Sequence, residues 1–482
     1  MTKVLLFGID GGEPSLVFER WRKDLPNLDK LMQKGCYARM NSAIPPNTIV
    51  AWNSMISGRD TSEIGVFSYT FKDKDGQSKL VSSKNIKCKL MWDILAEHNK
   101  RSLALYVPLS YPAKAMNGCM ITDFLTPGVE SECTYPSSLR EELKQFPDVE
   151  YFFDVVQGLA GHKSLDEGTI VKRSYAMTEM QIEMIKRLIT REKWDFTMSV
   201  MIGSDRLQHM LWRHFDETHR RHIKDSPFKE AIPKYYQYLD QKLGEVLSLL
   251  DDDTVVIIAS DHGMVKQEGK ININLWLLQK GYLVLKEGVD PSKKQKFSNS
   301  FVDMEKSFAY GGGAYNARVF LNKKVLGKNY ESFKQKIIEE LKAIPDDQGR
   351  KLETHIYTKE EVYKHSNDPD CPDLTIYFDN LRWASNPDFG SAGMYSWESA
   401  VGADSAGHST QGLFIIAGKG ISNKGNMGVI NIQEVAPTIM QALDVPIPKD
   451  LKVKPLPVFE ENKSKTKKTV RQRIWHIFQN QH

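Results

Sequence analysis

The sequence has few cysteines, no long apolar run and little excess charge, and each absence excludes a class of protein. Its five cysteines are odd in number and widely spaced, without a C-x-x-C pair, which argues against a disulfide framework and against a cysteine-based zinc site. No apolar run approaches the length of a transmembrane helix, and the apolar stretch at the N-terminus is too short for a signal peptide. We therefore expect a soluble cytoplasmic protein.

The charges nearly balance, since 65 Lys and Arg residues face 61 Asp and Glu residues and the formal net charge is +4. Basic residues are in excess only over roughly the last twenty positions, so the sequence does not indicate a nucleic-acid-binding protein. Of the 482 residues, 41% are hydrophobic and 26% are charged. A chain of this size accommodates one large α/β domain with insertions, or two to three ordinary domains.

The strongest local signal is a short apolar segment, residues 254–259, that runs into Asp261-His262-Gly263. Consecutive β-branched residues of this kind are typical of a strand that is buried on both faces of a parallel sheet. Ligands of open α/β sheets bind outside the carboxyl ends of the strands, so Asp261 and His262 are placed for chemistry. An aspartate that caps a turn and a packed histidine are the structural alternative.

Two further predicted strands also end in acidic residues. Residues 4–9 lead into Asp10, and residues 194–202 lead into Asp205. If a helix follows the second strand, Asp205 and His209 lie one turn apart on one face and are close enough to share a metal ion. The structural alternatives are a turn aspartate in the first case, and an N-cap aspartate with a surface histidine in the second.

The segment Pro45-Pro46-Asn47-Thr48 precedes a predicted helix that ends at Gly58. Thr48 then lies near the N-terminus of that helix, where unpaired N–H groups and the helix dipole favour an anion. Its hydroxyl is a candidate nucleophile. The simpler alternative is that Asn47 or Thr48 is only an N-cap.

Other segments surround these candidates. His408 precedes a predicted core strand at residues 412–418, where an ordinary loop histidine is the alternative. Residues 108–165 are rich in Pro, Gly, Ser and Asp, which predicts loops and an insertion over the sheet edge. Residues 271–283 predict a helix, a turn and a strand. The glycines at 311–313 fit either a close approach of backbone to a ligand or a simple turn.

The C-terminal residues differ in character from the rest of the chain. Six Lys and Arg residues lie between positions 463 and 473, and Val470, Ile474, Ile477 and Phe478 fall at helical spacing. A basic amphipathic helix of this kind lies on an anionic membrane surface, so residues 451–482 predict a peripheral membrane contact. A helix docked on its own domain or on a partner subunit, or a partly disordered tail, is the alternative. The sequence leaves the oligomeric state open.

Together, the polar strand ends indicate more than any one of them does alone. Three aspartates and three histidines provide two metal sites of mixed oxygen and nitrogen ligands, which suit Zn²⁺ or Mn²⁺ better than Ca²⁺. With Thr48 added, the sequence resembles the alkaline phosphatase superfamily, and within it the type I phosphodiesterase/nucleotide pyrophosphatase family. The matching residues follow the family's order: Gly8-Ile9-Asp10-Gly11; Pro45-Pro46-Asn47-Thr48 with Trp52, Ser54 and Gly58; Asp205-x-x-x-His209-x-x-Trp212; Ser260-Asp261-His262-Gly263; and Gly407-His408 with Gly412.

The resemblance implies an α/β fold with a mostly parallel central sheet and helices on both faces. The catalytic domain would span residues 1–450, with cap segments at about 108–165 and 285–400. Two divalent metal ions, Zn or Mn, are implied. Their expected ligands are Asp205, His209 and His408 for one ion, and Asp10, Asp261, His262 and the Thr48 oxygen for the other.

The resemblance also implies a reaction. Thr48 would attack the phosphorus of a small-molecule phosphodiester or phosphoanhydride in line. Water would then hydrolyse the phosphothreonine, and two in-line displacements predict retention of configuration at phosphorus.

Two departures from the family weaken the case for a nucleotide substrate. The family typically follows the nucleophile with a Phe-Pro-Asn-like run, where this chain has Ile49-Val50-Ala51. It also carries a His-Gly pair and, beyond it, an Asn that holds a phosphate oxygen, where this chain has Ile64-Gly65 followed by Val66-Phe67-Ser68-Tyr69. Asn47 or Asn53 is a candidate to replace that asparagine. Neither departure affects a predicted metal ligand.

A phosphomonoesterase or a phosphosugar mutase of the same superfamily is the main alternative. Such enzymes bind a dianionic group and need extra cations, for which Arg206, Lys266 and Arg318 are candidates. A sulfatase is disfavoured because C-x-P-x-R is absent, and a serine esterase because G-x-S-x-G is absent. A catalytically silent binding protein is disfavoured because every predicted metal ligand is present.

Overall fold

The apolar segments that the sequence places in strands form one sheet at the centre of the molecule. The structure is a computed structural model that describes residues 2–73, 77–156, 165–363, 366–399 and 402–460. The basic tail predicted at 463–482 lies outside these ranges. Among the helices of the described ranges, none has both the length and the apolar character that crossing a bilayer requires.

The central sheet has nine strands and is mostly parallel. Its middle strand, Lys3–Ile9, pairs in parallel with Phe196–Met201 on one side and with Thr254–Ala259 on the other. These strands are almost entirely buried, which is why their apolar residues run continuously instead of alternating. The order across the sheet is Gly425–Asn431, Cys36–Asn41, Gln411–Ala417, Thr254–Ala259, Lys3–Ile9, Phe196–Met201, Ser102–Leu105, Gly118–Ile121 and Thr134–Tyr135.

Helices cover both faces of this sheet. Along the middle strand, Leu5 and Phe7 pack into the core on one face, and Val4 and Leu6 pack into the core on the other. The α-helices of the described chain are Pro26–Lys34, Thr48–Ser57, Thr61–Ile64, Met91–Glu97, Leu139–Leu143, Glu167–Arg191, Gly203–Phe215, Ala231–Leu247, Ile273–Gln279, Lys323–Leu326, Tyr330–Lys342, Lys359–Val362 and Val435–Ala442.

A smaller antiparallel sheet has its own apolar core, which includes Val319, Ile337 and Ile376. Its strands lie in the order Ala309–Gly312, Ala317–Leu321, Leu374–Tyr377 and His355–Thr358. The remaining strands form a three-stranded sheet of Trp383–Asn386, Gly269–Asn272 and Tyr395–Ser396, and three ribbons that pair Gly263–Lys266 with Ala406–Ser409, Thr70–Lys72 with Ser78–Leu80, and Glu398–Ser399 with Gly402–Ala403.

The predicted fold class is confirmed, with a mostly parallel central sheet between two layers of helices. Two local predictions are wrong. Residues 108–165 are not only loops, because Gly118–Ile121 and Thr134–Tyr135 extend the edge of the central sheet. The strand expected at residues 281–283 is instead a turn after helix Ile273–Gln279, where Gly281 has a φ of 70°.

The glycines at 311–313 serve packing and a turn. A Cβ on Gly311 would lie 2.7 Å from the Ile273 Cγ2 atom, so only glycine fits against that helix. Gly313 has a φ of 88° at the tip of the hairpin that joins two strands of the smaller sheet, a conformation that glycine adopts without strain. The turn interpretation is therefore confirmed for Gly313, whereas Gly311 and Gly312 lie in strand Ala309–Gly312.

Candidate active site

Three neighbouring strands deliver predicted site residues to one edge of the central sheet. Asp10 follows the middle strand, and Asp261 and His262 follow the strand beside it. Asp205 and His209 lie in helix Gly203–Phe215, which begins directly after the third strand. None of these five side chains is more than 2% exposed. The topology therefore places them where parallel α/β sheets bind their ligands.

His408 reaches the same edge from a different direction. Its strand, Ala406–Ser409, pairs antiparallel with Gly263–Lys266, so that His408 lies opposite Met264. This register stacks the His408 ring on the His262 ring, with the ring centroids 3.6 Å apart. The ribbon thus brings His408, the last predicted ligand, to the end of strand Thr254–Ala259, although the two are far apart in the sequence.

Asp205, His209 and His408 form a first candidate metal group. The His209 Nε2 atom lies 3.2 Å from Asp205 Oδ1 and 3.2 Å from His408 Nε2. The His408 Nε2 atom lies 3.6 Å from the same carboxylate oxygen. One ligand atom from each residue lies within 4.8 Å of the others, so one ion could contact all three.

Asp10, Asp205 and His262 form a second candidate group, again with ligand atoms within 4.8 Å of one another. The His262 Nε2 atom lies 3.8 Å from Asp10 Oδ1 and 3.1 Å from Asp261 Oδ2. Asp261 therefore contacts this group through His262, while its Oδ1 atom accepts a hydrogen bond from the Gly11 N–H at 3.3 Å. Asp205 belongs to both groups, which the sequence does not predict.

Each histidine is oriented by its other ring nitrogen. The Nδ1 atoms of His209, His408 and His262 lie 2.8, 2.7 and 3.0 Å from the backbone carbonyl oxygens of Ala406, Pro46 and Gly263. A carbonyl only accepts, so the proton of each neutral ring is on Nδ1. The three Nε2 lone pairs then face the cluster, which is the arrangement that metal-ligating histidines adopt.

The carboxylates complete a donor set that fits divalent cations. Oxygen atoms of Asp10, Asp205 and Asp261 are buried without a hydrogen-bond donor among the described residues, which is costly for a charged group. Burial raises the pKa of Asp10 and of Asp261, and repulsion between the carboxylates adds to it. For Asp205, burial also opposes ionisation, but His209 and Arg206 outweigh it and hold its pKa below the usual range. Burial lowers the pKa of His262 to about 4.

Thr48 is the first residue of helix Thr48–Ser57, and its hydroxyl lies 3.4 Å from His262 Nε2. Asn47 is the N-cap residue of this helix, as the simpler alternative expects, but its side chain caps no N–H group of the described residues. The Asn47 Oδ1 atom is buried without a partner in the described chain. The nucleophile candidate and an unengaged amide therefore lie together beside the acidic cluster.

The Asn53 side chain does not donate a hydrogen bond toward the cluster of predicted metal ligands. Its Nδ2 group donates to the carbonyl oxygens of Ile49 at 2.7 Å and of Pro108 at 3.0 Å. One N–H of the amide thus bonds within the helix and the other joins the helix to the loop at Pro108, and none is left for a phosphate oxygen. Asn53 is therefore not available to bind a phosphate oxygen, and Asn47 stays a prediction.

Two tyrosines at the site were not predicted as site residues. Burial raises the pKa of Tyr69, and its proximity to the Thr48 hydroxyl opposes that rise. The Tyr315 hydroxyl lies 3.3 Å from His209 Nε2, and its ring stacks on His408 with centroids 4.4 Å apart. Tyr69 is the last residue of the segment 66–69, in which the family's asparagine is absent. That absence could have marked Tyr69 as a site residue. Tyr315 is delivered by a distant hairpin, and no local pattern marks it.

The three side chains proposed as extra cations, Arg206, Lys266 and Arg318, lie in three different parts of the structure. Arg206 is buried and donates to both carboxylate oxygens of Asp154, at 3.0 and 2.8 Å, and to Asp205 at 3.0 Å. Lys266 donates to Thr218. Arg206 therefore orients Asp205, and its hydrogen-bonding groups are engaged by two carboxylates. Arg318 lines a separate cavity beside the site.

Comparison with known proteins agrees with this geometry. The sequence profile described as Type I phosphodiesterase / nucleotide pyrophosphatase matches residues 4–402. No curated protein sequence shows significant similarity to the chain. Among solved structures, human ectonucleotide pyrophosphatase/phosphodiesterase 5 is 14% identical, with 92% of this chain and 96% of that chain covered and a TM-score of 0.53.

A second solved structure is an inactive threonine-to-alanine variant of murine ectonucleotide pyrophosphatase/phosphodiesterase 5 in complex with AMP. It is 12% identical, with 93% of this chain and 96% of that chain covered and a TM-score of 0.55. At such identities the likeness shows the fold alone. The profile match over most of the sequence shows more: this chain is a hydrolase that belongs to the type I phosphodiesterase/nucleotide pyrophosphatase family.

Proposed function

We propose that this chain hydrolyses phosphodiester or phosphoanhydride bonds with two divalent metal ions and a covalent phosphothreonine at Thr48. One observation carries the proposal. Three histidine Nε2 atoms and three buried carboxylate oxygens without donors converge beside the Thr48 hydroxyl. The closely spaced carboxylates repel one another, and the histidine lone pairs that face them add no donor, so cations between these groups would stabilise the cluster.

The residues that would hold the ions follow from this cluster. Asp205, His209 and His408 would hold one ion, and Asp10, Asp261 and His262 the other, with Asp205 close to both. The donor set suits Zn²⁺ or Mn²⁺. When bound, such ions lower the pKa of a hydroxyl and stabilise the charge on phosphoryl oxygens.

Thr48 supplies the nucleophile in this scheme. Its Oγ1 atom loses a proton and bonds to phosphorus while the bond from phosphorus to the leaving oxygen breaks, and that oxygen takes up a proton. Water then cleaves the bond between phosphorus and Oγ1, returns a proton to Thr48 and releases the phosphate product. The helix N-terminus at Thr48 favours the negative charge of the phosphoryl oxygens.

The murine relative supports the same scheme. Its threonine-to-alanine variant is described as inactive and is in complex with AMP, which fits a threonine nucleophile and a phosphate-ester ligand. A phosphomonoesterase is less well supported, because Arg206 is already engaged by Asp154 and Asp205. The extra charge of a dianionic phosphate calls for a side-chain cation beside the metal ions, and Arg206 is held by these two carboxylates.

The test compares Thr48→Ala with Thr48→Ser on an aryl phosphodiester with added Zn²⁺ or Mn²⁺. We expect the alanine variant to lose on the order of 10³-fold or more in kcat while its metal content, measured by mass spectrometry, stays as in the wild type. The serine variant retains a hydroxyl and keeps measurable turnover. Acid-quenched wild-type enzyme should carry a phosphoryl group on Thr48. Normal turnover by the alanine variant would overturn the assignment.

A further inference from the structure

A cavity of about 720 Å³ lies between the smaller sheet and the ribbon that pairs Thr70–Lys72 with Ser78–Leu80. Its lining includes two cations, Lys72 and Arg318, and two aromatic rings, Tyr310 and Phe320. This volume lies within the range of organic ligand sites. None of these residues takes part in the chemistry assigned to Thr48 and the metal ligands.

Each wall of the cavity is adjacent in sequence to a tyrosine that lies at the reaction centre. Tyr69, which lies close to Thr48, directly precedes strand Thr70–Lys72 in the wall that contains Lys72. Tyr315, which contacts His209, lies three residues before Arg318. Lys72 likewise lies three residues after Tyr69, so both cations are close along the chain to residues at the site. A substrate of moderate length can therefore span both places.

The cations of the cavity are not neutralised by ion pairs. Within the described residues, the Lys72 Nζ atom donates to the Tyr310 hydroxyl at 3.1 Å and makes no ion pair. The Arg318 guanidinium has neither a hydrogen bond nor an ion pair there, and burial lowers its pKa. One acid, Asp370, also lines the cavity; it accepts the Lys72 backbone N–H at 3.0 Å and interacts electrostatically with both cations without forming an ion pair among the described residues. An anionic ligand would satisfy the arginine.

The aromatic side of the cavity suits an organic spacer. The Tyr310 and Phe320 rings stack with centroids 5.0 Å apart and an interplanar angle of 10°. The Lys72 ammonium lies 5.2 Å from the Tyr310 centroid and 5.8 Å from that of Phe320. This geometry places an apolar surface between the two charged positions.

We propose that this cavity binds a second anionic group of the substrate, a phosphate or a carboxylate, at the end remote from the scissile phosphorus. The proposal rests on the proposed function for the scissile group and adds a substrate class to it. The substrate is an elongated organic phosphodiester or phosphoanhydride that is charged at its remote end. Arg318 and Lys72 select for that charge.

The first test measures binding without turnover, by calorimetry on the Thr48→Ala variant of the full chain with Zn²⁺ or Mn²⁺. The probes are a linear alkyl monophosphate, the matching alkanediol bisphosphate and the matching phosphoalkanoic acid. We expect the bisphosphate to bind at least about tenfold more tightly than the monophosphate, and the acid distinguishes carboxylate from phosphate as the second anion. Equal affinities for all three probes would overturn the proposal.

Substitutions of Arg318 and Lys72 test whether the cavity causes the tighter binding of the bisphosphate. Arg318→Gln and Lys72→Gln should each remove most of the advantage of the bisphosphate, and Arg318→Lys should restore part of it. The matched control is Lys324→Gln, which removes the same charge from an exposed position paired with Glu305 and should keep the full advantage. If the advantage persists in both cavity variants, the cavity is not the site. The Lys72 variant keeps the test valid if Arg318→Gln does not fold.

Turnover separates this proposal from the proposed function. Two p-nitrophenyl diesters are compared, one with a neutral alkyl group and one with the same chain ending in a phosphate. We expect a lower KM for the charged diester, and loss of that difference in Arg318→Gln. Equal KM values with normal turnover would overturn the cavity proposal alone. Absence of turnover with both would overturn the proposed function and leave calorimetry to decide the cavity.

Discussion

At the scale of single residues, Asp205 is the carboxylate that both metal groups share. Asp205→Asn should therefore lower the metal content by nearly two equivalents per chain, while Asp261→Asn should lower it by at most one, because Asp261 contacts only the group that contains His262. Plasma mass spectrometry of protein dialysed against a weak chelator measures both. If Asp205→Asn loses no more metal than Asp261→Asn, then Asp205 is not a ligand of both metal ions.

Trp52 shows how a buried neighbour orients a ligand. Its Nε1 group donates to Asp10 Oδ2 at 2.9 Å, and the ring is fully buried. Trp52→Phe should weaken metal binding about 10- to 100-fold, because an outer hydrogen bond to a ligand is lost. The control is Trp194→Phe, since Trp194 is also buried but donates to the Ile189 carbonyl. Equal metal affinity in the two variants, measured by competition with a chelator, would refute this role.

At the scale of elements, the strand that carries His408 is held in place through a second histidine. His219 donates from Nε2 to the Ser405 carbonyl at 2.9 Å, and its Nδ1 atom accepts the Arg221 N–H at 3.0 Å. Ser405 in turn donates to the His209 carbonyl at 2.8 Å. A neutral His219 makes both hydrogen bonds. Protonation of Nδ1 would break the one that it accepts from the Arg221 N–H.

This contact predicts a dependence of stability on pH. Burial lowers the pKa of His219 from 6.5, so its contribution to the free energy of unfolding is present above pH 6.5 and is lost as pH falls through the lower pKa of the folded state. Urea unfolding between about pH 7 and about pH 5 should show a shallower decline for His219→Gln than for the wild type. His355→Gln, at an exposed position, should decline like the wild type. Identical slopes for all three proteins would exclude the effect.

Local sequence patterns predicted the strands and their polar ends, because both depend on nearest neighbours. The runs before Asp10 and Asp261 are buried strands, and Thr48 begins a helix. Contacts between distant segments were not predictable. The short strand Gly118–Ile121 depends on its pairing partner, and Tyr315 reaches the site on a hairpin whose position is set by tertiary packing.

At the scale of the whole molecule, the basic tail gives a separate prediction. Residues 463–482 lie outside the described residues, and their membrane contact stays a proposal from the sequence. Deleting them should leave hydrolysis of a soluble diester unchanged and abolish sedimentation with phosphatidylserine vesicles, because binding depends on their positive charge. Neutral vesicles are the control. Retained binding to anionic vesicles after the deletion would refute the membrane role.

The position of strand Gln411–Ala417 has a consequence for synthesis of the protein. It pairs with Cys36–Asn41 on one side and with Thr254–Ala259 on the other, so the middle of the sheet is closed by a segment that leaves the ribosome late. Until then, Thr254–Ala259 has an open edge, which favours association with other chains. We therefore expect a nascent chain of this protein to be inactive and prone to aggregate until this strand is inserted, and a chaperone that covers that edge to raise the yield of active enzyme.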